Sequence, residues 1–291
     1  MSPRVVDSLA EIAADYDALF CDVWGVVHNG VAPFGPAVAA LQAYRALGGK
    51  VVLLTNAPRP RWAIEAQLDG LGVPRDAWDT IATSGDAARV ALFTGAIGEK
   101  VYFMGEDRDR VVLEPIHIVE DPVEIQTVSL EQAEGILGAG PEDPEAEPET
   151  WRPVLLSAKA RGLTFLCLNP DIVVDRGDKR QWCAGAVARM YEEMGGEALY
   201  FGKPHPPVYD LARRRLAELG VSIPDERILA IGDGVETDVA GAMGEGLDCL
   251  FVTGGIAAEE TKTGNDPDRA ALQDFLDRHQ TTATYAAGQL R

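Results

Sequence analysis

Short, unbroken apolar runs alternate along this chain with longer stretches in which apolar positions recur at the three-to-four-residue spacing of an amphipathic helix. The runs predict strands near 18–22, 50–54 and 80–83, and the periodic stretches predict helices near 36–47 and 60–71. Gly48-Gly49 ends the first helix and Leu71-Gly-Val-Pro74 the second, because glycine takes up left-handed backbone and proline cannot continue the ladder. The same grammar returns late in the chain. It gives a helix near 206–219 stopped by Gly220, a strand at 227–231, a helix near 236–245, a strand at 248–252 and a helix near 266–279. Strands that are apolar throughout, joined through helices, are the pattern of a parallel sheet covered on both faces. The predicted fold class is therefore α/β, with a Rossmann-like parallel sheet to which both ends of the chain contribute.

The middle of the chain reads differently. It holds a strand-like run at Lys100–Met104, β-rich stretches at 116–119 and 123–128, an acidic Pro/Glu run from Pro141 to Glu149, a helix near 151–161 and a strand from Leu163 to Leu168. The Pro/Glu run has too few apolar residues to order itself and is expected to loop over the surface. Candidate site residues fall only on either side of this middle part. We therefore expect an inserted α/β domain over 84–198 and a core domain made of 1–83 and 199–291. No internal repeat is evident.

With 291 residues, 46% of them hydrophobic, the chain can fill sizeable cores. A net charge of −20 argues against a nucleic-acid partner, since bulk repulsion opposes a polyanion. It still permits a small anionic ligand, because a local lysine and a metal ion outweigh distant charge that salt screens over roughly 8 Å. Apolar runs are too short for a membrane span and the first residues lack a signal pattern, so a cytoplasmic protein without a membrane partner is expected. Self-association into a homodimer stays open. Cys21, Cys167, Cys183 and Cys249 show no paired spacing, and three lie in apolar runs, so free buried thiols are expected rather than disulfides or zinc ligands.

The chemistry gathers at strand ends. Asp22 closes the run Ala18-Leu-Phe-Cys-Asp22, and Asp233 closes Ile228-Leu-Ala-Ile-Gly-Asp233, with Asp238 five positions on. Thr55-Asn56 closes the run at 51–54, and Lys203 stands between Gly202 and Pro204 ahead of a predicted helix. Carboxylates at strand ends are how an α/β fold offers hard oxygen ligands to Mg²⁺, although such acids also cap turns and begin helices. Asp22 is placed to attack phosphorus, with Gly25 allowing tight backbone geometry behind it. Its repulsion by a phosphate would be cancelled by Mg²⁺ between Asp22 and Asp233 and by Lys203 and Thr55 on the phosphoryl oxygens.

In order and spacing these four segments resemble the motifs of the haloacid dehalogenase-like superfamily: Phe20-Cys-Asp22 through Gly25, Leu54-Thr55-Asn56, Gly202-Lys203-Pro204, and Gly232-Asp233 through Asp238. The insertion between the threonine and lysine segments lies where class II caps of that family sit. Asn169-Pro-Asp171 followed by Cys183-Ala-Gly-Ala186 is similar to the class IIA, NagD-type cap of sugar, nucleotide and nitrophenyl phosphatases. The resemblance implies a Mg²⁺-dependent phosphatase acting on a small phosphorylated metabolite through an aspartyl-phosphate. It makes Asp22 the nucleophile, gives Thr55, Asn56, Lys203 and Gly25 to the phosphoryl group, and places Mg²⁺ on Asp22, Asp233 and the main-chain carbonyl of Trp24, with Asp238 supporting the metal shell.

One position departs from the family pattern. Its phosphatases carry a second Asp two positions after the nucleophile, as general acid and base, and here that position is Trp24. Losing a positioned acid costs roughly 10²–10⁴ in rate, which predicts weak hydrolysis or restriction to good leaving groups. His28 is the nearby alternative donor. A phosphotransferase, and a non-catalytic protein that binds a phosphorylated metabolite, are the competing readings. In the inserted domain Asp171, Arg176, Asp178, Lys179 and Arg180 form a polar segment that suits substrate contact or a solvated turn, and Trp182 and Tyr191 are expected in its core. His117 and His279 carry no chemistry assignable from their neighbours.

Overall fold

The computed structural model describes residues 2–115, 119 and 121–291. In chain order its strands are β1 (Arg4–Val5), β2 (Ala18–Cys21), β3 (Lys50–Thr55), β4 (Thr80–Thr83), β5 (Lys100–Met104), β6 (Gln126–Thr127), β7 (Gly135–Gly138), β8 (Thr164–Cys167), β9 (Val173–Arg176), β10 (Lys179–Trp182), β11 (Glu197–Tyr200), β12 (Ile228–Gly232), β13 (Asp248–Val252) and β14 (Tyr285–Ala287). The helices are α1 (Gly35–Ala46), α2 (Arg61–Leu71), α3 (Ser84–Phe93), α4 (Arg152–Ala160), α5 (Ala184–Glu193), α6 (Pro206–Glu218), α7 (Ala240–Glu245) and α8 (Arg269–Arg278).

The larger sheet is parallel throughout and runs β1-β14-β13-β12-β2-β3-β4. Its central strands are buried on both faces, and their alternation shows which side each residue serves. Leu19, Cys21, Leu229, Ile231, Leu250 and Val252 pack with Leu41 and Leu68 of α1 and α2. The intervening Phe20, Ala230 and Phe251 pack with Tyr209 and Leu216 of α6 and Phe275 of α8. From β2 the chain winds outward through β3 to β4, and from β12 it winds the other way through β13 to β14. The strand order therefore reverses between β2 and β12, the place where open α/β sheets form a crevice at their carboxyl ends. Asp22 and Asp233 immediately follow these two strands.

The smaller sheet, β11-β8-β7-β5-β6, is also parallel and comes from the middle of the chain. Helices α4 and α5 cover one face through Leu155, Val187 and Tyr191, and α3 covers the other through Ala88 and Leu92. Strands β9 and β10 form an antiparallel hairpin that joins neither sheet. No helix among the described residues is long and apolar enough to cross a membrane.

Several elements differ from the expected ones for local reasons. Only Gln126–Thr127 of the 123–128 stretch pairs, residues 116–118 of the stretch at 116–119, His117 among them, lie outside the described residues, and β7 is a Gly-Ile-Leu-Gly segment whose apolar run is too short to read. The helix expected from 266 begins at Arg269 because Asp268 caps it, its carboxylate accepting the Ala271 N–H at 2.9 Å. The segment expected as a helix over 236–245 opens as a π turn at Val235–Val239 before α7. Strand β11, which runs to Tyr200, belongs to the smaller sheet, so the return expected at 199 falls inside that strand rather than before it. All four cysteines are free and buried.

Candidate active site

The end of β2 is fixed by the sheet itself: the Asp22 N–H donates to the Ile231 carbonyl at 2.7 Å, which turns the Asp22 carboxylate into the crevice beside β12. Lys203 reaches the same point from the loop after β11. Its ammonium donates to Asp22 Oδ1 at 2.5 Å and to Asp238 Oδ1 at 2.6 Å, and the residue is only 2% exposed. The Asn56 amide holds the Lys203 backbone from both sides, accepting its N–H at 2.7 Å and donating to its carbonyl at 3.1 Å. Asn56 also donates to Asp171 Oδ1 at 2.8 Å, so its side chain positions Lys203 and Asp171. Thr55, at the end of β3, is buried beside it and its hydroxyl accepts the Ala57 N–H at 3.2 Å.

Asp22, Asp233 and Asp238 each offer a carboxylate oxygen within 4.8 Å of the others, and all three are buried. The Asp238 oxygens are engaged, one by Lys203 and one by the Gly234 N–H at 3.1 Å, whereas Asp233 accepts a single, longer bond of 3.3 Å from the Ile256 N–H. Burial pushes the Asp22 carboxyl well above the usual range, Lys203 pulls it back, and Asp238 and Asp233 push it up again. Burial, then the charge of Asp238, raises Asp233 to about 7. Burial opposes the Lys203 ammonium, but Asp22, Asp238 and Asp171 outweigh it and hold its proton well above the ordinary lysine range.

Several buried carboxylates thus share one ammonium, and the negative excess is of the kind a hard divalent cation offsets. The backbone is shaped to leave Asp233 room. A Cβ on Gly25, whose φ is +85°, would lie 2.3 Å from Asp233 Oδ2, and one on Gly255 would lie 1.9 Å from it. An all-oxygen donor set and a glycine cradle on two sides fit Mg²⁺.

Residues 19–118 match the family described as haloacid dehalogenase-like hydrolase, and residues 200–277 match the one described as HAD-hydrolase-like. A crystal structure of a hydrolase of the haloacid dehalogenase-like family from Brucella suis 1330 is 39% identical, with a TM-score of 0.86 over 99% of this chain and 100% of that one. The chain belongs to the haloacid dehalogenase-like hydrolase family. D-glycerol 3-phosphate phosphatase of Mycobacterium tuberculosis is 26% identical over 85% of this chain, which spans 66% of that protein's length. The fold is also similar to the crystal structure of glycerol phosphate phosphatase from Mycobacterium tuberculosis in complex with magnesium, at 22% identity, 90% of this chain, 78% of that one and a TM-score of 0.63.

In this family member the crevice opens into a cavity of about 810 Å³ walled on the core side by Trp24 and Ile256 and on the other by Asp171, Val173 and Val174. His28 is not among its walls. The His28 ring is buried, its Nδ1 accepts the Gly30 N–H at 2.9 Å, and burial pushes its pKa down to about 4, so at neutral pH it holds no acidic proton to give. Of the polar segment singled out in the inserted part, only Asp171 enters the site. Lys179 pairs with Glu145 and Arg180 with Asp175, on the outside of the hairpin. Tyr191 is in the core of the smaller unit, while Trp182 is partly buried and lines a neighbouring cavity. His279, just past α8, lies tilted against the Phe275 ring with centroids 4.7 Å apart and does not line the cavity over Asp22. Sequence reading missed Gly255 and Ile256, which follow β13 in a glycine turn that carries no chemical signature of its own.

Proposed function

We propose that this protein is a Mg²⁺-dependent phosphatase that hydrolyses a small phosphomonoester through an aspartyl-phosphate on Asp22, with the inserted unit built on the smaller sheet serving as a class IIA cap. The observation that carries the reading is Lys203 bridging Asp22 and Asp238 in the switch-point crevice, with Asp233 inside the same cluster. Support also comes from the likeness to D-glycerol 3-phosphate phosphatase of Mycobacterium tuberculosis and from the magnesium in the similar glycerol phosphate phosphatase structure. In this reading an Asp22 oxygen forms a bond to phosphorus while the bond to the leaving oxygen breaks, and water later releases phosphate and regenerates the carboxylate. Lys203 and the Thr55 hydroxyl hold phosphoryl oxygens, and Asn56 keeps the lysine in place. Bound Mg²⁺, held by Asp22, Asp233 and the Trp24 carbonyl with Asp238 orienting its shell, would neutralise charge on the phosphoryl oxygens.

Trp24 supplies no proton to the leaving oxygen, and neither does neutral His28. The departing group must then leave as an anion, so the rate is expected to fall steeply as its pKa rises, with alkyl phosphates roughly 10²–10⁴ slower than aryl phosphates. Phosphate release from a panel running from p-nitrophenyl phosphate to glycerol phosphate, with and without Mg²⁺, tests both parts. Equal rates across the panel would show that another group donates the proton, and no release from any ester would favour a binding protein.

Gly255→Ala places a methyl group where the Asp233 carboxylate now sits. Displacing a ligand's support typically costs 10–100-fold in metal affinity, and a Mg²⁺ titration by calorimetry is expected to show about that loss with the fold intact. Unchanged affinity would remove Asp233 from the ligand set.

A further inference from the structure

The Trp24 side chain does something that the acid of the family pattern could not. Its indole N–H donates to the Asp175 carbonyl at 2.8 Å, joining the loop after β2 to strand β9 of the hairpin. A second bond runs the other way beside it, from the Gly177 N–H at the hairpin turn to the Asn29 carbonyl at 3.1 Å. Both partners are braced before they meet. The Asn29 side chain accepts the N–H groups of Val31 and Ala32 at 3.0 and 2.9 Å, and Arg180 clasps Asp175 across the hairpin at 2.8 and 3.0 Å.

The ring itself has a built seat. Gly30, with φ at +80°, lies so close that a Cβ there would meet the indole at 2.5 Å, and the His28 ring stands edge-on with its centroid 5.1 Å away. The indole also separates two spaces. Together with Thr55, Asp171 and Val174 it lines both the cavity over Asp22 and a neighbouring one of about 820 Å³ that reaches Arg59 and Trp182.

Hairpin β9–β10 pairs with neither sheet. A lone two-stranded hairpin is marginal in water, so its placement is set by what it docks on. We propose that Trp24 is a latch: a positioning residue whose indole N–H holds hairpin β9–β10 closed over the carboxylate cluster. Because Val173, Val174 and Asp175 form the roof of the cavity over Asp22, the bond that fixes Asp175 also fixes the height of that roof. The meaning of closure for turnover rests on the phosphatase reading. The latch itself does not, and it is read without substrate.

The test is hydrogen exchange on the free, full-length protein. In the parent, the Trp24 indole N–H, assigned by its through-space contact with the His28 ring, is expected to exchange far more slowly than that of Trp62, which is 47% exposed. Trp24→Phe keeps an aromatic ring and removes the donor. Amides of 173–182 should then exchange roughly five- to tenfold faster, the population change that one hydrogen bond of ordinary strength controls, while β12 and β13 stay unchanged. A Trp24 indole that exchanges as fast as Trp62's overturns the latch, and needs no variant to fold. So does a hairpin equally protected in the variant, and acceleration spread over both sheets would instead make Trp24 a general packing residue. Absence of phosphate release by the parent from every ester, with the exchange result intact, would sink the phosphatase reading and leave the latch.

Discussion

Asp22→Asn is expected to lower phosphate release by on the order of 10⁴-fold or more, the scale seen when a covalent nucleophile is removed. The amide is nearly the same size as the carboxylate but is a poor nucleophile towards phosphorus. Its neutrality also loosens the pull on Lys203, which keeps Asp238 as its partner at 2.6 Å. The fold should not suffer. Asp22 is buried among Asp233 and Asp238, whose charges oppose its ionisation, so deleting one negative charge relieves repulsion as well as losing an ion pair. The melting temperature is therefore expected to stay level or rise. Phosphate release from p-nitrophenyl phosphate and a thermal melt, run on the same preparation, check the pair of expectations. Activity retained within tenfold of the parent would mean that water, not Asp22, attacks phosphorus.

Lys203→Met is expected to have the largest effect on stability of any single change at the site. Lys203 is almost completely buried, and its ammonium is the hydrogen-bond donor shared by Asp22 and Asp238. Methionine fills much of the same volume but leaves two buried carboxylates without their cation. Removing one partner of a buried pair costs about 3–5 kcal/mol, a large share of the 5–15 kcal/mol that typically holds a domain together. A melting temperature lower by on the order of 10 °C follows for a chain of this size. Added Mg²⁺ should restore part of the loss, since it supplies positive charge to the same oxygens. A drop of less than about 3 °C would show that the acids are already neutral in the folded protein, and would contradict the ion-pair account of the crevice.

The two variants separate roles that a single activity assay would merge. Asp22→Asn removes reactivity and spares the fold, whereas Lys203→Met removes the charge balance on which the fold of the crevice depends. Trp24 belongs to neither group. Its side chain touches the roof of the cavity through Asp175, so a variant that puts an acid there, Trp24→Asp, would exchange one function for another by gaining a carboxyl group and losing the indole bond to the hairpin.

The core was legible from the sequence because burial on both faces of a parallel sheet demands unbroken apolar strands, and β2, β3, β12 and β13 are written that way. The same strands carried the chemistry with them. Asp22, Thr55 and Asp233 stand directly after such runs, and a strand end in this fold is a defined place in space, so order along the chain was enough to bring them together. What the sequence could not supply was anything set by contacts between distant segments. Strands β7, β9 and β10 are short, glycine-bounded or charged, and they form because neighbouring elements cover or dock them, not because of a local pattern. The charged run after Asp171 looked like one candidate surface, but pairing turned Arg180 and Lys179 outward and left Asp171 alone on Asn56. The Asn56 amide, which the family resemblance gives to the phosphoryl group, is also engaged by the backbone of Lys203, a contact between segments far apart in the chain. Trp24 shows the division most clearly. The sequence places an indole at position 24, while only the fold brings the Asp175 carbonyl within hydrogen-bonding distance of its N–H, because a hydrogen bond between two loops is decided by how the units that carry them pack.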